Sequence, residues 1–186
     1  MDSSLDKTIS ELAEERGLSF NLIANQILTK YCEYERVAEK LGFIDIAPLS
    51  LKNLLSLIST EESEALGSMS GLSGRNAKQL VSMMMGGSDL KSFLAALNLM
   101  EKHMRAFTSD ILIKEDECQI IMSHNLGIKW SHFLKGMVSS TLKETYEVNP
   151  TFEVTETFMT ANFGVARETL AQVIKANRIA LDNCNS

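Results

Sequence analysis

The sequence predicts an α+β fold in which a helical N-terminal half precedes an antiparallel sheet packed with helices. Through residue 107 the apolar residues recur at steps of three and four, the period of amphipathic helices. Beyond that point two pairs of short apolar runs are separated by one more helical stretch, an order that favours an antiparallel sheet with helices on one face. We therefore expect three segments: a dimerisation segment over residues 1–48, a helical connecting region over 49–87 and an α+β unit over 88–186.

The first 41 residues have the pattern of two helices joined by a short turn. An apolar face repeats through the first helix, and Gly17 ends that helix in a left-handed cap. Ser19 is placed as the N-cap of a longer helix over residues 20–41. The apolar residues of the two helices are Leu5, Ile9, Leu12 and Ala13, then Ile23, Ile27, Tyr34, Val37 and Leu41.

Four further helices are expected before the sheet. One spans residues 49–58, and the next opens at Ser59, which is followed three residues later by Glu62 in the pattern of a capping box. The glycine- and serine-rich residues 67–74 form the most linker-like stretch of the chain. A helix over 76–85 follows, and Ser88 is placed as the cap of a helix that runs to about residue 107.

The C-terminal third alternates strand pairs and helices. Strands over 111–113 and 118–122 flank a polar turn, a helix covers 130–146, and strands over 151–155 and 158–163 form a second pair. A helical tail is expected over 165–180. The expected core of this unit comprises Phe93, Leu97, Met100, Ile120, Met122, Trp130, Phe133, Met137, Phe152 and Val154.

Charge and cysteine usage narrow the classes of function. The net charge is −6, and residues 1–48 contain five basic and nine acidic residues, which opposes the phosphate contacts of DNA binding. The three cysteines include no CxxC pair, as expected of reduced thiols in a cytosol. No basic region followed by an apolar run marks a signal peptide, and the apolar stretches are too short for a membrane span. The sequence predicts a cytoplasmic protein that does not enter a membrane.

Residues 12–19 (LAEERGLS) and 22–28 (LIANQIL) resemble the helical part of a ribbon–helix–helix DNA-binding domain. Residues 31–43, 124–133 (HNLGIKWSHF) and 150–155 (PTFEVT) are similar to archaeal transcription regulators of that type. The resemblance implies a homodimer in which two helices joined by a Gly-x-Ser turn intertwine with a second copy. It further implies an N-terminal strand that enters the DNA major groove, and a C-terminal sensing or interaction domain.

The resemblance does not extend to the N-terminal strand. Only residues 1–4 precede the first predicted helix, which is too short a segment to supply the side chains that read base edges. Two interpretations stay open: the fold keeps its dimer core without binding DNA, or the start of the protein lies upstream of Met1. We expect this chain to form a homodimer and to bind DNA weakly.

Two groups of N-terminal residues are candidate functional residues. Ser19 and Asn21 are candidate DNA-phosphate contacts, because a helix N-terminus offers backbone amides to an anion, and the side chain of Lys7 is a third candidate. The alternatives are a plain N-cap at Ser19 and a solvated lysine at Lys7. The candidate dimer interface consists of apolar residues that two short helices cannot bury alone: Ile23, Ile27 and Leu28.

The C-terminal candidates are His124, Trp130 and Phe133. Trp130 beside Phe133 fits the floor of a small-molecule pocket, with a core anchor as the alternative. His124 and His132 lack further ligands at metal spacing, so we predict no metal and no other cofactor.

No nucleophile motif, P-loop or dinucleotide fingerprint is present, so we predict no catalytic residue. Three hypotheses follow. They are a dimeric transcription regulator, a protein-interaction module that keeps the dimer core without binding DNA, and an enzyme or haem-type sensor centred on His124 and Trp130.

Overall fold

The computed structural model describes residues 2–70, 73–114 and 116–165, and it confirms the α+β class. The chain divides into two compact units, Met1–Ile44 and Asp45–Ser186. The region over 49–87 that the sequence assigns to a connection therefore belongs to the second unit. The predicted helical tail over 165–180 lies, after its first residue, outside the described residues.

The first unit is a helical hairpin. Helix α1 spans Ser3–Arg16 and ends at Gly17, whose φ of 64° is the left-handed conformation that glycine adopts without a Cβ penalty. Helix α2 spans Phe20–Lys30 and continues through a π-helical turn, Tyr31–Glu35, into α3 at Arg36–Lys40. The predicted helix over 20–41 is thus present, with a π-helical turn inside it.

The second unit packs helices against one face of a four-stranded sheet. Its elements are α4 (Pro48–Ser56), α5 (Thr60–Met69), α6 (Gly74–Met85), α7 (Leu90–Met104), β1 (Thr108–Lys114), β2 (Glu117–Ser123), α8 (Ile128–Tyr146), β3 (Thr151–Val154) and β4 (Phe158–Gly164). The strand order is β1-β2-β4-β3, and every neighbouring pair is antiparallel. The two predicted hairpins therefore meet along β2 and β4.

The core of the second unit lies between this sheet and helices α7 and α8. The sheet contributes alternate residues of its central strands, because successive side chains point to opposite faces. These are Cys118, Ile120, Met122, Met159, Ala161 and Phe163, all buried. Of the ten core residues expected from the sequence, seven are buried, and Phe133, Phe152 and Val154 are half-buried.

Three local expectations need correction. Helix α7 is capped by Asp89 and not by Ser88: the Asp89 carboxylate accepts a hydrogen bond from the Ser92 amide at 2.7 Å. The same helix ends at Arg105, which has a positive φ of 55°, before the expected limit of 107. The linker-like residues 67–74 begin inside α5, since that helix continues to Met69.

Helix α5 packs on α8 at backbone distance. A Cβ atom at Gly67 would overlap the carbonyl oxygen of Phe133, and one at Gly136 would overlap the carbonyl oxygen of Glu64. Near the start of the contact the buried Ser63 hydroxyl donates to the Lys129 carbonyl at 2.6 Å. Small residues on both helices thus permit an approach that larger side chains would prevent.

Candidate functional site

The candidate phosphate contacts lie on the first unit and have local roles. Ser19 is the N-cap of α2, and its hydroxyl accepts a hydrogen bond from the Leu22 amide at 3.2 Å. Lys7 forms an exposed ion pair with Glu11 one helical turn away, at 3.7 Å. Asn21 is exposed in the first turn of α2. The structure therefore shows the plain cap at Ser19 and gives the Lys7 ammonium an acidic neighbour.

The candidate interface residues fall into two environments. Ile23 is 1% exposed and belongs to the hairpin's own cluster with Ile9 and Ala13. Ile27 and Leu28, one turn further along α2, remain 46% and 61% exposed. Ile27 and Leu28 thus belong to a larger set of exposed apolar side chains on the first unit, whose other members are Leu5, Leu18, Leu22, Tyr31, Leu41 and Ile44.

In the second unit His124 connects three chain segments in the turn between β2 and α8. Its Nε2 lies 2.8 Å from the Ser131 hydroxyl in α8, and that hydroxyl donates to the Thr155 carbonyl at 2.6 Å. Its Nδ1 accepts a hydrogen bond from the Leu126 amide at 3.3 Å, and its own amide donates to the Thr157 carbonyl at 2.8 Å. The histidine thus ties this turn to α8 and to the β3–β4 turn.

These hydrogen bonds fix the tautomer of His124. Nδ1 accepts the Leu126 N–H and therefore carries no proton, so the proton of the neutral ring is on Nε2. Nε2–H then donates to the Ser131 oxygen, while the Ser131 hydroxyl proton points to Thr155. A histidine that activates a serine must accept its proton. In this arrangement the polarity is opposite, because the imidazole N–H donates to Ser131 and the Ser131 hydroxyl donates to the Thr155 carbonyl.

Burial lowers the pKa of His124 from its ordinary value of 6.5, because the charged ring would lose solvation. Protonation of Nδ1 would also place its N–H against the N–H of Leu126, so that two donors meet and the hydrogen bond is lost. The folded state therefore binds this proton less readily than the unfolded chain, so its contribution to stability is complete above pH 6.5 and is lost as the pH falls towards the lowered value.

We expect the free energy of unfolding to decline as the pH falls below about 6.5, with His124 as one cause. Urea titrations at several pH values, followed by Trp fluorescence, measure this. His124→Gln should flatten that decline, because the variant has no imidazole to protonate at this position. An equally steep decline in His124→Gln and the parent would contradict the assignment.

Trp130 and Phe133 form an aromatic pair on α8. Their rings are stacked, with centroids 4.7 Å apart and planes inclined by 6°. Trp130 is 7% exposed, and its indole N–H donates to the Ala106 carbonyl at 3.2 Å. This hydrogen bond joins α8 to the segment between α7 and β1. The observed environment of Trp130 is that of a core anchor.

The groove that His124 lines does not include the other two predicted pocket residues. An open groove of about 490 Å³ lies beside the end of α7 and includes His124, but Trp130 and Phe133 are not among its lining residues. Its other walls are mainly polar: Glu101, Lys102, Arg105, Thr108, Ser123 and Asn125, with Ala106 and Phe107.

A polar cluster between α5 and α8 was missed by the sequence reasoning. The Glu64 carboxylate accepts hydrogen bonds from Lys135 at 2.8 Å and His132 at 3.1 Å. Burial opposes the charged carboxylate, but these two partners outweigh it and hold the pKa of Glu64 below its usual value. His132 and Lys135 are three apart on α8, a spacing that aligns them but does not identify a carboxylate 68 residues away.

The described parts of the chain contain no grouped metal ligands and no helix that could span a membrane. Within residues 2–70, 73–114 and 116–165, no three histidine, cysteine or acidic side chains are grouped closely enough to hold a metal ion. No helix in those ranges has the length and apolarity needed to cross a bilayer. Comparisons of the chain with protein-family models, with curated proteins and with solved structures gave no match.

Proposed function

We propose that this chain is a dimeric transcription regulator, or a derivative of one, in which the first unit dimerises and the second unit senses or binds. The observation that carries the proposal is the exposed apolar surface of a helical hairpin too small to bury it. Among residues 2–44 of the first unit, the buried apolar residues are only Ile9, Ala13, Ile23 and Val37. A chain of about 40 residues rarely buries enough apolar surface to be stable alone, and a second copy of the hairpin would complete its core.

Ile27→Asp tests the dimer. The substitution would place a charge without a partner in the proposed apolar interface, which is strongly unfavourable. We expect multi-angle light scattering at micromolar concentration to give the parent a mass of at least a dimer and the variant a smaller average mass. Gln26→Asp adds the same charge at the neighbouring exposed position and is the matched control. A monomeric parent, or equal effects of the two substitutions, would contradict this interface.

The acidic first unit favours the second candidate function, a protein-interaction module that keeps the dimer core without binding DNA. Residues 1–48 contain five basic and nine acidic residues, and Lys7 is paired with Glu11. Phosphate neutralisation by basic side chains supplies most non-specific affinity for DNA. The two functions therefore differ in one measurable property, which is salt-dependent binding to duplex DNA.

We expect this chain to bind duplex DNA weakly at physiological salt, with an affinity no tighter than the roughly micromolar range of non-specific binding. Fluorescence anisotropy with a pool of random duplexes, followed by selection and repeat measurement at several salt concentrations, tests this. Nanomolar binding to a selected sequence would refute the expectation and establish direct DNA recognition. Absence of binding by a dimeric protein would support the interaction module.

A further inference from the structure

Strand β1 forms one edge of the sheet. It is the first strand in the order β1-β2-β4-β3, and no strand among the described residues pairs with its outer edge. Its register with β2 is unbroken over all seven residues, from Thr108 to Lys114. Exposed edges of this length are normally protected by proline, a bulge or a short strand, because their free amides and carbonyls accept another strand. β1 has none of these three devices, and the charged side chains that can also protect an edge are here two of opposite sign, Asp110 and Lys114.

The middle of β1 is apolar and incompletely covered. Leu112 is 46% exposed on the face away from the helices, and Ile111 and Ile113 are half-buried on the face towards them. One charged residue lies on each side of Leu112, at Asp110 and Lys114, and both are exposed. All three share one face because side chains alternate along a strand.

The charged and apolar residues of β1 are complementary to those of a second, antiparallel copy of β1. If two copies of β1 pair antiparallel about Leu112, the two leucines face each other, and Asp110 of each copy lies opposite Lys114 of the other. On the opposite face Ile111 lies across from Ile113 of the second copy. Opposite charges and β-branched pairs directly across a ladder are both stabilising. The arrangement would thus form two ion pairs and cover the three exposed or half-exposed apolar positions.

Neighbouring registers lack this complementarity. Pairing about Ile111 would place Asp110 opposite Leu112 and Lys114 opposite Thr108. Pairing about Ile113 would bring Asp110 opposite Asp116, two like charges. Charge complementarity therefore favours the register about Leu112 over those about Ile111 and Ile113. Lys114 is also the cross-strand neighbour of Glu117 in β2, so in this register its ammonium lies between two carboxylates.

We propose that the outer edge of β1 is a self-association surface whose occupant is β1 of a second copy, paired antiparallel about Leu112. The two four-stranded sheets then join into one eight-stranded sheet. The contact belongs to the second unit, and it does not rest on the dimerisation proposed for the first.

A charge-exchange series in the full chain tests the surface, with all variants made in the Ile27→Asp background to weaken the other interface. Asp110→Lys and Lys114→Asp each replace two attractive pairs by two repulsive ones, so sedimentation equilibrium should show dimers weakened by about tenfold or more. The double variant Asp110→Lys/Lys114→Asp restores opposite charges and should recover the affinity of its background to within about threefold. Trp fluorescence and circular dichroism verify folding of each variant.

Glu153→Lys is the matched control, because Glu153 is exposed on the other edge strand and the substitution changes the net charge by the same amount as Asp110→Lys. It should leave self-association unchanged. Absence of association in the Ile27→Asp background, or a double variant as weak as the singles, would overturn the proposal. If Ile27→Asp has no effect while the charge series responds as expected, β1 association stands and the interface proposed for the first unit is wrong.

Discussion

Replacing Gly136 with alanine is expected to lower the free energy of unfolding of the second unit by about 3 kcal/mol. The added Cβ would overlap the Glu64 carbonyl oxygen and crowd the Ser68 amide nitrogen. Both are backbone atoms, so no side-chain rotation relieves the overlap, and α5 must move away from α8. Movement of α5 would disturb the hydrogen bond from Ser63 to the Lys129 carbonyl and the pairing of Glu64 with Lys135.

The sign of this effect separates packing from helix propensity. Alanine is favoured over glycine in a helix interior by about 1 kcal/mol, so propensity alone would stabilise the variant. Gly67→Ala should be similarly destabilising, because its Cβ would overlap the Phe133 carbonyl oxygen from the other helix. Ser68→Ala is the control: Ser68 is exposed on α5, and its hydroxyl bonds within its own helix, so we expect a change within about 0.5 kcal/mol.

Urea denaturation followed by fluorescence of Trp130 measures these changes, because this residue is the only tryptophan and lies in the second unit. Unchanged or increased stability of Gly136→Ala would show that α5 and α8 are further apart than the structure has them.

The parts of the fold that depend on neighbouring residues could be predicted from the sequence. The Ser59 capping box is present in full: the Glu62 amide donates to the Ser59 hydroxyl, and the Ser59 amide donates to the Glu62 carboxylate. Gly17 and Ser19 end α1 and begin α2 as expected. Both strand pairs are hairpins, because short apolar runs on either side of a polar turn favour local antiparallel pairing.

The parts that depend on distant residues could not be predicted in this way. Gly67 belongs to the glycine- and serine-rich stretch that has the composition of a linker. It nevertheless lies where α5 crosses α8, a helix that begins 61 residues later, at Ile128. Ile23 and Ile27 share one helical face in the sequence. Only Ile23 is buried, because the hairpin's own cluster extends no further along α2.

At His124, too, the local structure could be predicted from the sequence, but the contacts with distant residues could not. The sequence places this residue in the turn between a strand and a helix, but Ser131 and the Thr155 carbonyl come from elements that only the tertiary fold brings together. Periodicity assigns a residue to a face of its element. It does not identify which polar group satisfies a buried ring nitrogen, and that partner decides whether His124 can accept a proton.

The second large effect is expected at Trp130. We expect Trp130→Ala to destabilise the second unit by roughly 3–5 kcal/mol, the usual range for removing a buried aromatic side chain. Three contributions are lost together: burial of the ring, its stacking on Phe133 and the hydrogen bond to the Ala106 carbonyl. Because the variant lacks a tryptophan, circular dichroism follows its denaturation.

Trp130→Phe separates the ring from the hydrogen bond. Phenylalanine keeps an aromatic surface against Phe133 but cannot donate to Ala106, so we expect a smaller loss of roughly 1–3 kcal/mol, which includes the carbonyl left without its donor. The order parent, Trp130→Phe, Trp130→Ala in falling stability supports a core anchor that holds α8 against the segment before β1. If Trp130→Ala unfolds like the parent but loses binding of a small molecule, Trp130 is a pocket residue, and the α8 anchor must lie elsewhere in the sheet-facing core.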